Sequence, residues 1–354
     1  MDVGIQMIFQ NYGGRVSDEE MLAAEMRTAT TAEPLGYDKL WPVEHHFTDY
    51  AACPDNTQFL SWAAAKTSRI KLATGAFILP WNDPLRVAEK ITLLDYMSDG
   101  RAVLGFGRGL ARREYAGFGI DMGESRDRFD EAAAMILDAL DTGYIQGDGP
   151  YYPRARTEIR PRPRRGFRDR LYSVGMSPES VQQAAALGAH LMVFSQIPWE
   201  SFAEHTLAAF DTTFRERHRR EPAHVLTVDL MYCDEDAARA EELARRHMAA
   251  YYLSVLEHYE ILNDHFKKMK GYEMYAGAAD VLRQLDVQEV ARSYVDVQTW
   301  GTPAMILEKL AQRRRLLGDF ELSVIVHYGG LPFEDAERSM RLFGERVLPE
   351  LHAW

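Results

Sequence analysis

Arg101-Ala102-Val103-Leu104-Gly105-Phe106-Gly107-Arg108-Gly109 opens as a strand and ends as a glycine-rich turn carrying one cation. A short, nearly unbroken apolar run is what a strand buried on both faces requires. Upstream, Val3 to Phe9, Tyr37 to Val43 and Ile70 to Pro80 read the same way. Downstream, Leu171 to Gly175, Leu191 to Phe194, Val225 to Tyr232 and Leu322 to Val326 repeat it. Helical patterns fill most of the intervals. Asp18 to Leu35 reads as a helix closed by Gly36, and near 123–141 Phe129, Ala133, Ile136, Leu137 and Leu140 share one face. Asp83-Pro84, Ser177-Pro178 and Thr302-Pro303 each put a capping oxygen before a proline, which needs no N–H at the first helical position. Eight strands alternating with helices predict an α/β fold closed as a TIM-like (β/α)8 barrel. An open, doubly wound sheet is the alternative that periodicity leaves standing.

Two regions break this rhythm. From about Gly143 to Arg170 the chain is rich in arginine between Arg154 and Arg170, with prolines and a glycine that argue for a loop. A solvated connector and a surface that steers an anion are both compatible with it. From about Tyr259 to Gly301 an insertion separates the seventh and eighth strands; it holds Gly271 and Gly277 and reads as a lid or as a plain surface excursion. A length of 354 residues suits one elaborated barrel domain spanning 1–354. A net charge of −12 argues against nonspecific nucleic-acid binding. No apolar run reaches membrane length, and the N-terminal residues lack a signal-peptide pattern. Cys53 and Cys233, without metal spacing, suit a reducing cytoplasm.

A barrel of this kind places its chemistry at the C-terminal ends of the strands. Glu44-His45-His46 follows the second strand, and adjacent residues there point to opposite sides. Histidine exchanges protons near neutral pH, so at least one is a catalytic candidate beside a structural reading. A metal would need a third ligand; Glu44, Asp49 or His327 can be imagined, but no metal-binding spacing such as HExxH occurs, and no metal is expected. Gly105 to Gly109 is neither a dinucleotide fingerprint nor a Walker loop, although its glycines permit close approach and Arg108 suits a phosphate. Tight barrel packing explains the same glycines. Ser177-Pro178-Glu179-Ser180 opens a helix whose free N–H groups suit an anion, or simply caps it. Phe9, Trp81 and Phe194 are candidates for an apolar lining, or for core.

An ordered set of motifs covers nearly the whole chain: Glu44-His45-His46-Phe47-Thr48, Ile78-Leu79-Pro80 with Asp83-Pro84-Leu85-Arg86, and Leu93 through Arg101. Gly107-Arg108-Gly109-Leu110, Phe118 through Met122, Glu124-Ser125-Arg126, Glu179-Ser180 and Gly301-Thr302-Pro303 continue it. The set resembles the bacterial luciferase-like flavin monooxygenase family, on the side of its luciferase alpha subunits. The resemblance implies a TIM-like barrel, reduced FMN supplied as cosubstrate, and O2 activation through a flavin C4a-peroxide. It implies that His45, with Glu44 and His46 beside it, serves catalysis. Arg108, Gly109, Leu110, Glu179 and Ser180 would bind FMN around its phosphate, and Gly75-Ala76 would lie under the flavin ring as a non-prolyl cis peptide. It further implies hydroxylation, epoxidation or Baeyer–Villiger oxidation of a small organic substrate, a separate NAD(P)H-dependent flavin reductase, and a homodimer. Gly107 stands where luciferase has cysteine and Gln196 where it has tryptophan, so light emission from long-chain aldehyde is not expected. A deazaflavin-dependent dehydrogenase and a noncatalytic flavin-binding subunit are the competing readings.

Overall fold

The computed structural model describes all residues except Lys270. In chain order its strands are β1 (Val3–Met7), β2 (Lys39–Pro42), β3 (Lys71–Ala73), β4 (Phe77–Ile78), β5 (Ala102–Gly107) and β6 (Tyr144–Gly147). They continue with β7 (Arg154–Glu158), β8 (Leu171–Val174), β9 (His190–Phe194), β10 (Val225–Cys233), β11 (Thr299–Gly301) and β12 (Phe320–Ile325). Strands β1, β2, β3, β5, β8, β9, β10 and β12 pair in that order, all parallel, and β12 pairs with β1 to close the barrel. The closed sheet excludes the open doubly wound alternative.

Local chemistry explains the element boundaries. Ser17 and Glu20 form a reciprocal capping box ahead of helix Asp18–Leu35, and Gly36 ends it in the left-handed region at φ 96°. Asp83, Ser177 and Thr302 each cap the helix that their proline begins, as expected. Phe129, Ala133, Ile136, Leu137 and Leu140 of helix Ser125–Thr142 are all buried.

Two expectations need correction and one gains detail. The stretch from Ile70 to Pro80 does hold the third strand. It breaks into β3 and β4 around a cis peptide between Gly75 and Ala76, then turns through Leu79–Trp81. The first strand stops at Met7, because Phe9 takes φ 53° and gives its N–H to Glu25 Oε1. The stretch 143–170 contains an antiparallel hairpin, β6 with β7, where a loop was expected. Its turn is held by Glu131, whose carboxylate accepts from the N–H groups of Tyr151 and Tyr152. The arginines of this stretch are mostly paired on the surface, with Asp83, Glu158, Asp99 and Asp141. Arg170 instead enters the interior to meet Asp95. That arrangement supports the connector reading over anion steering.

The barrel floor holds a closed ion cluster. Lys39 Nζ reaches Glu321 at 2.5 Å, Asp2 at 3.0 Å and Tyr172 Oη at 3.2 Å. β2, β8 and β12 are not neighbours in the sheet, so these contacts cross the lumen. Burial opposes the charged ammonium, but Glu321, Tyr172 and Asp2 hold the Lys39 pKa above its ordinary value. Trp41 is fully buried and meets Tyr172 edge-on at 4.9 Å. Gly4 and Gly105 make room there: a Cβ on Gly4 would sit 2.9 Å from the Trp41 ring, and one on Gly105 only 2.1 Å from the Thr74 carbonyl oxygen.

Candidate active site

β2 delivers Glu44-His45-His46 to the barrel mouth. His45 donates its backbone N–H to Cys53 and pairs its Nδ1 with Glu114 Oε1 at 2.9 Å. Its Nε2 lies 3.3 Å from the Tyr259 hydroxyl. Glu114 is 1% exposed and also accepts the His46 backbone N–H at 2.8 Å. A buried carboxylate beside Nδ1 selects the tautomer that carries its proton there, which leaves the Nε2 lone pair facing Tyr259. The two histidines diverge as strand geometry requires. His45 packs among Tyr50, His258 and Tyr259, whereas His46 packs among Phe47, Trp81 and Phe118.

Glu44, named beside His45 for catalysis, spends its carboxylate on the neighbouring turn. Its carboxylate accepts from Trp81 Nε1 at 2.7 Å, Asn82 Nδ2 at 2.8 Å and the Ile78 N–H at 3.2 Å, with His46 Nε2 3.5 Å away. These bonds fix the bend after β4. The preceding turn is held from the other side, where Gln6 Nε2 donates to the Gly75 carbonyl and Asn56 Nδ2 to that of Ala76. Gly75 must stay bare, because a Cβ would lie 3.0 Å from Gln6 and 3.1 Å from Trp41. Gly107 faces the same turn: a Cβ there would meet Ile78 at 2.8 Å and Ala76 at 3.4 Å.

A second cluster lies beyond β5. Arg108 stacks over the Tyr272 ring at 4.2 Å and donates to the Gly271 carbonyl at 3.2 Å. The hydroxyl of Tyr115 donates to the Arg108 carbonyl. Gly109 takes φ 82° beside Ile78 and Trp81, so both conformation and space require glycine there. Leu110 is half-buried against the core. Arg126, from helix Ser125–Thr142, joins Arg108: burial and the neighbouring guanidinium lower its pKa, against the pull of Asp130 and Glu179. Its Nε and Nη2 are buried atoms without a hydrogen-bond partner among the described residues, as is Asp130 Oδ1. A part-buried guanidinium with such donors beside a second guanidinium is chemically suited to an anion.

Glu179 is exposed, and its carboxylate acts on Arg126, which supplies the cation that offsets it near an anion. Ser180 is committed locally. Its Oγ accepts from the Met176 and Ser177 N–H groups at 3.0 and 2.9 Å and donates to the Ser177 carbonyl at 2.8 Å. The hydroxyl therefore caps its own helix. The insertion reaches the same cluster: the Tyr272 hydroxyl meets Ser125 Oγ at 3.0 Å and the Gly109 carbonyl at 3.3 Å. Arg112 pairs with Glu260 at 2.7 Å on the His45 side.

Glu114, Arg126, His258, Tyr259 and Tyr272 escaped the sequence reading as site residues. Glu114 sits in Arg112-Arg113-Glu114, which reads as a solvated charged face. Arg126 lies in the quoted Glu124-Ser125-Arg126 motif but carries no assigned role there. Tyr259 is 214 positions from His45, a distance no local pattern spans.

This closed parallel barrel, with a carboxylate-backed histidine and an arginine pair at its mouth, has the anatomy of a TIM-barrel enzyme. The luciferase-like monooxygenase family profile matches residues 1–319, and the chain belongs to that family of oxidoreductases. The alkanal monooxygenase alpha chain of Photobacterium leiognathi is 26% identical over 353 residues, which cover 95% of each chain. The monooxygenase RslO1 from Streptomyces bottropensis superposes with a TM-score of 0.76 at 26% identity, covering 99% of this chain and 100% of its own. The oxygenating constituent of 3,6-diketocamphane monooxygenase from Pseudomonas putida, a type II Baeyer–Villiger enzyme in complex with FMN, also reaches 0.76, at 19% identity and 99% and 98% coverage. The fold is shared as well with an F420-dependent secondary alcohol dehydrogenase, at a TM-score of 0.70, 17% identity and 98% coverage of each chain.

Proposed function

We propose that this chain is the oxygenating component of a two-component monooxygenase. It takes reduced FMN and O2 and hydroxylates, epoxidises or Baeyer–Villiger-oxidises a small organic substrate. The observation that carries the cofactor assignment is the Arg108–Arg126 pair, with buried Arg126 donors that find no partner among the described residues. A terminal phosphate supplies the missing charge and acceptors. The FMN in the diketocamphane enzyme on the same fold adds support. Arg108, Arg126, Gly109 and Leu110 would hold the phosphate end, with Glu179 and Ser180 shaping the helix start beside it, and Gly75-Ala76 would support the ring.

Reduced FMN, when bound, supplies the electrons that activate O2. His45 then holds or moves a proton at Nε2, with Glu114 fixing its tautomer. His46 packs the wall, and Glu44 keeps the turn beneath in shape. The segment from about Leu262 to Trp300 closes over the site and excludes water, which protects the reactive oxygen species from loss as H2O2. The chain from 1 to 354 works as one cytoplasmic barrel domain. A separate NAD(P)H-dependent reductase supplies the reduced flavin, since the chain has no dinucleotide fingerprint. Leu93 and Met97, exposed on helix Pro84–Met97, mark the face for a homodimer.

The test is a substrate panel run with reduced FMN and isotopically labelled O2, with products read by mass spectrometry. Label in product is expected, and His45→Ala should keep FMN affinity while diverting turnover to H2O2. Hydride transfer with a deazaflavin and no incorporated label would make the protein a dehydrogenase. Flavin binding without any turnover would make it a noncatalytic subunit.

A further inference from the structure

The mouth of the barrel brings together three groups that are far apart in the chain: His45 after β2, Glu114 from the short helix Arg112–Gly117, and His258 from the end of helix Ala237–His258. One ligand atom from each lies within 4.8 Å of the other two. His258 is 3% exposed, and its Nε2 has no hydrogen-bond partner among the described residues. Its Nδ1 lies 3.3 Å from Thr48 Oγ1, and its ring stacks on Tyr50 at 4.1 Å and 14°. The ring is thus locked in orientation by one hydroxyl and one aromatic face, with a nitrogen left over.

We propose that His45, Glu114 and His258 form a binding site for a divalent transition-metal ion of the zinc type. Two imidazoles and a carboxylate suit such an ion, and tetrahedral zinc with bonds of about 2.0–2.1 Å needs its ligand atoms about 3.3 Å apart. Side-chain adjustments of roughly 1 Å close the present spacing to that value. The remaining position falls to water. The Thr48 hydroxyl provides the outer hydrogen bond that a ligating histidine needs on its second nitrogen. Burial first, then His45 and Arg113, disfavours the charged form of His258, so its imidazole is neutral and available as a ligand. Arg113 also opposes a cation here, while the carboxylate of Glu114 favours one. Occupancy takes His45 out of proton exchange, so the ion acts as an inhibitor that competes with the site's own chemistry.

The test uses full-length, chelator-treated protein without flavin, so its outcome does not depend on the oxygenation reading. Zn2+ is titrated by calorimetry, and Co2+ is followed by its visible d–d absorption. One equivalent is expected to bind. His258→Gln and Glu114→Gln should each weaken binding at least tenfold, whereas His205→Ala, an exposed histidine beside Glu204, should not. Circular dichroism checks that each variant is folded. If a variant does not fold, anomalous scattering from a zinc-soaked crystal of the unaltered protein decides. A peak among the three side chains supports the site. A peak elsewhere, no binding, or affinity indifferent to both substitutions overturns it.

Discussion

The floor and the mouth of this barrel bury similar chemistry to opposite effect. At the floor, Lys39 is matched by Glu321, Asp2 and Tyr172, and both Glu321 oxygens also accept from Tyr172. At the mouth, Arg126 keeps two buried donors, and His258 a buried ring nitrogen, without partners among the described residues. A closed ion cluster across the lumen ties β2, β8 and β12 together. Buried charge alone therefore does not mark function, and neither does a single unpartnered donor, since Arg170 and Arg313 each bury an unpartnered Nε away from the mouth; the mouth differs in gathering several.

The largest expected effect breaks the floor. Lys39→Met strands the Glu321 carboxylate and should cost about 3–5 kcal/mol in urea unfolding. Lys39→Met with Glu321→Met should recover most of that loss; if the double variant is no better than the single one, pairing is not what stabilises the floor.

The same substitution at the mouth should act in reverse. Arg126→Met should leave the stability of the ligand-free protein unchanged or raise it by up to about 2 kcal/mol. It should weaken FMN roughly 10- to 100-fold by fluorescence titration, the loss of about one to two charge-assisted bonds. Riboflavin, which lacks the phosphate, should be little affected by this change or by Arg108→Ala. Equal weakening of both flavins would remove the phosphate assignment.

A smaller effect separates the two regions by pH. Burial and the neighbouring His45 push the pKa of His258 down to about 2. The unfolded imidazole titrates near about 6.5. Between those values the unfolded chain binds a proton that the folded one refuses. The stability difference is absent above the unfolded pKa and grows as pH falls below it, by about 1.4 kcal/mol per pH unit. Comparing unfolding at pH 7.5 and 5.5, His258→Gln should show a shallower loss than the parent protein; parallel losses would place the titration elsewhere.

The smallest effect lies outside both regions. Arg164 pairs with the fully exposed Asp99 at 3.3 Å. Arg164→Ala should change stability by no more than about 0.5 kcal/mol and leave FMN binding intact. A clear loss of flavin affinity would restore anion steering to the arginine-rich stretch.

Much of the scaffold was legible locally. Asp18 to Leu35 with its Gly36 cap, the three cap-proline helix starts, and the alternation of strands and helices are written in neighbouring residues, which is where caps and periodicity act. The hairpin at Tyr144–Gly147 and Arg154–Glu158 was not, because its polar strands alternate without an apolar face and its turn depends on Glu131 from the preceding helix.

By itself, the sequence determined the alternation of strands and helices, the position of Glu44-His45-His46 at a strand end, and Arg108 as the cation after the glycine-rich turn. Only the tertiary structure decided the closure of the sheet and what each of these side chains touches. Glu44 turns to Ile78, Trp81 and Asn82, while Glu114 arrives from another element to take its place beside His45. Arg126 gains meaning only next to Arg108, and His258 only against His45 and Tyr50. Caps and hydrophobic periodicity depend on residues a few positions apart. A hydrogen bond or an unsatisfied donor depends on atoms within about 3 Å of each other, whichever part of the chain supplies them.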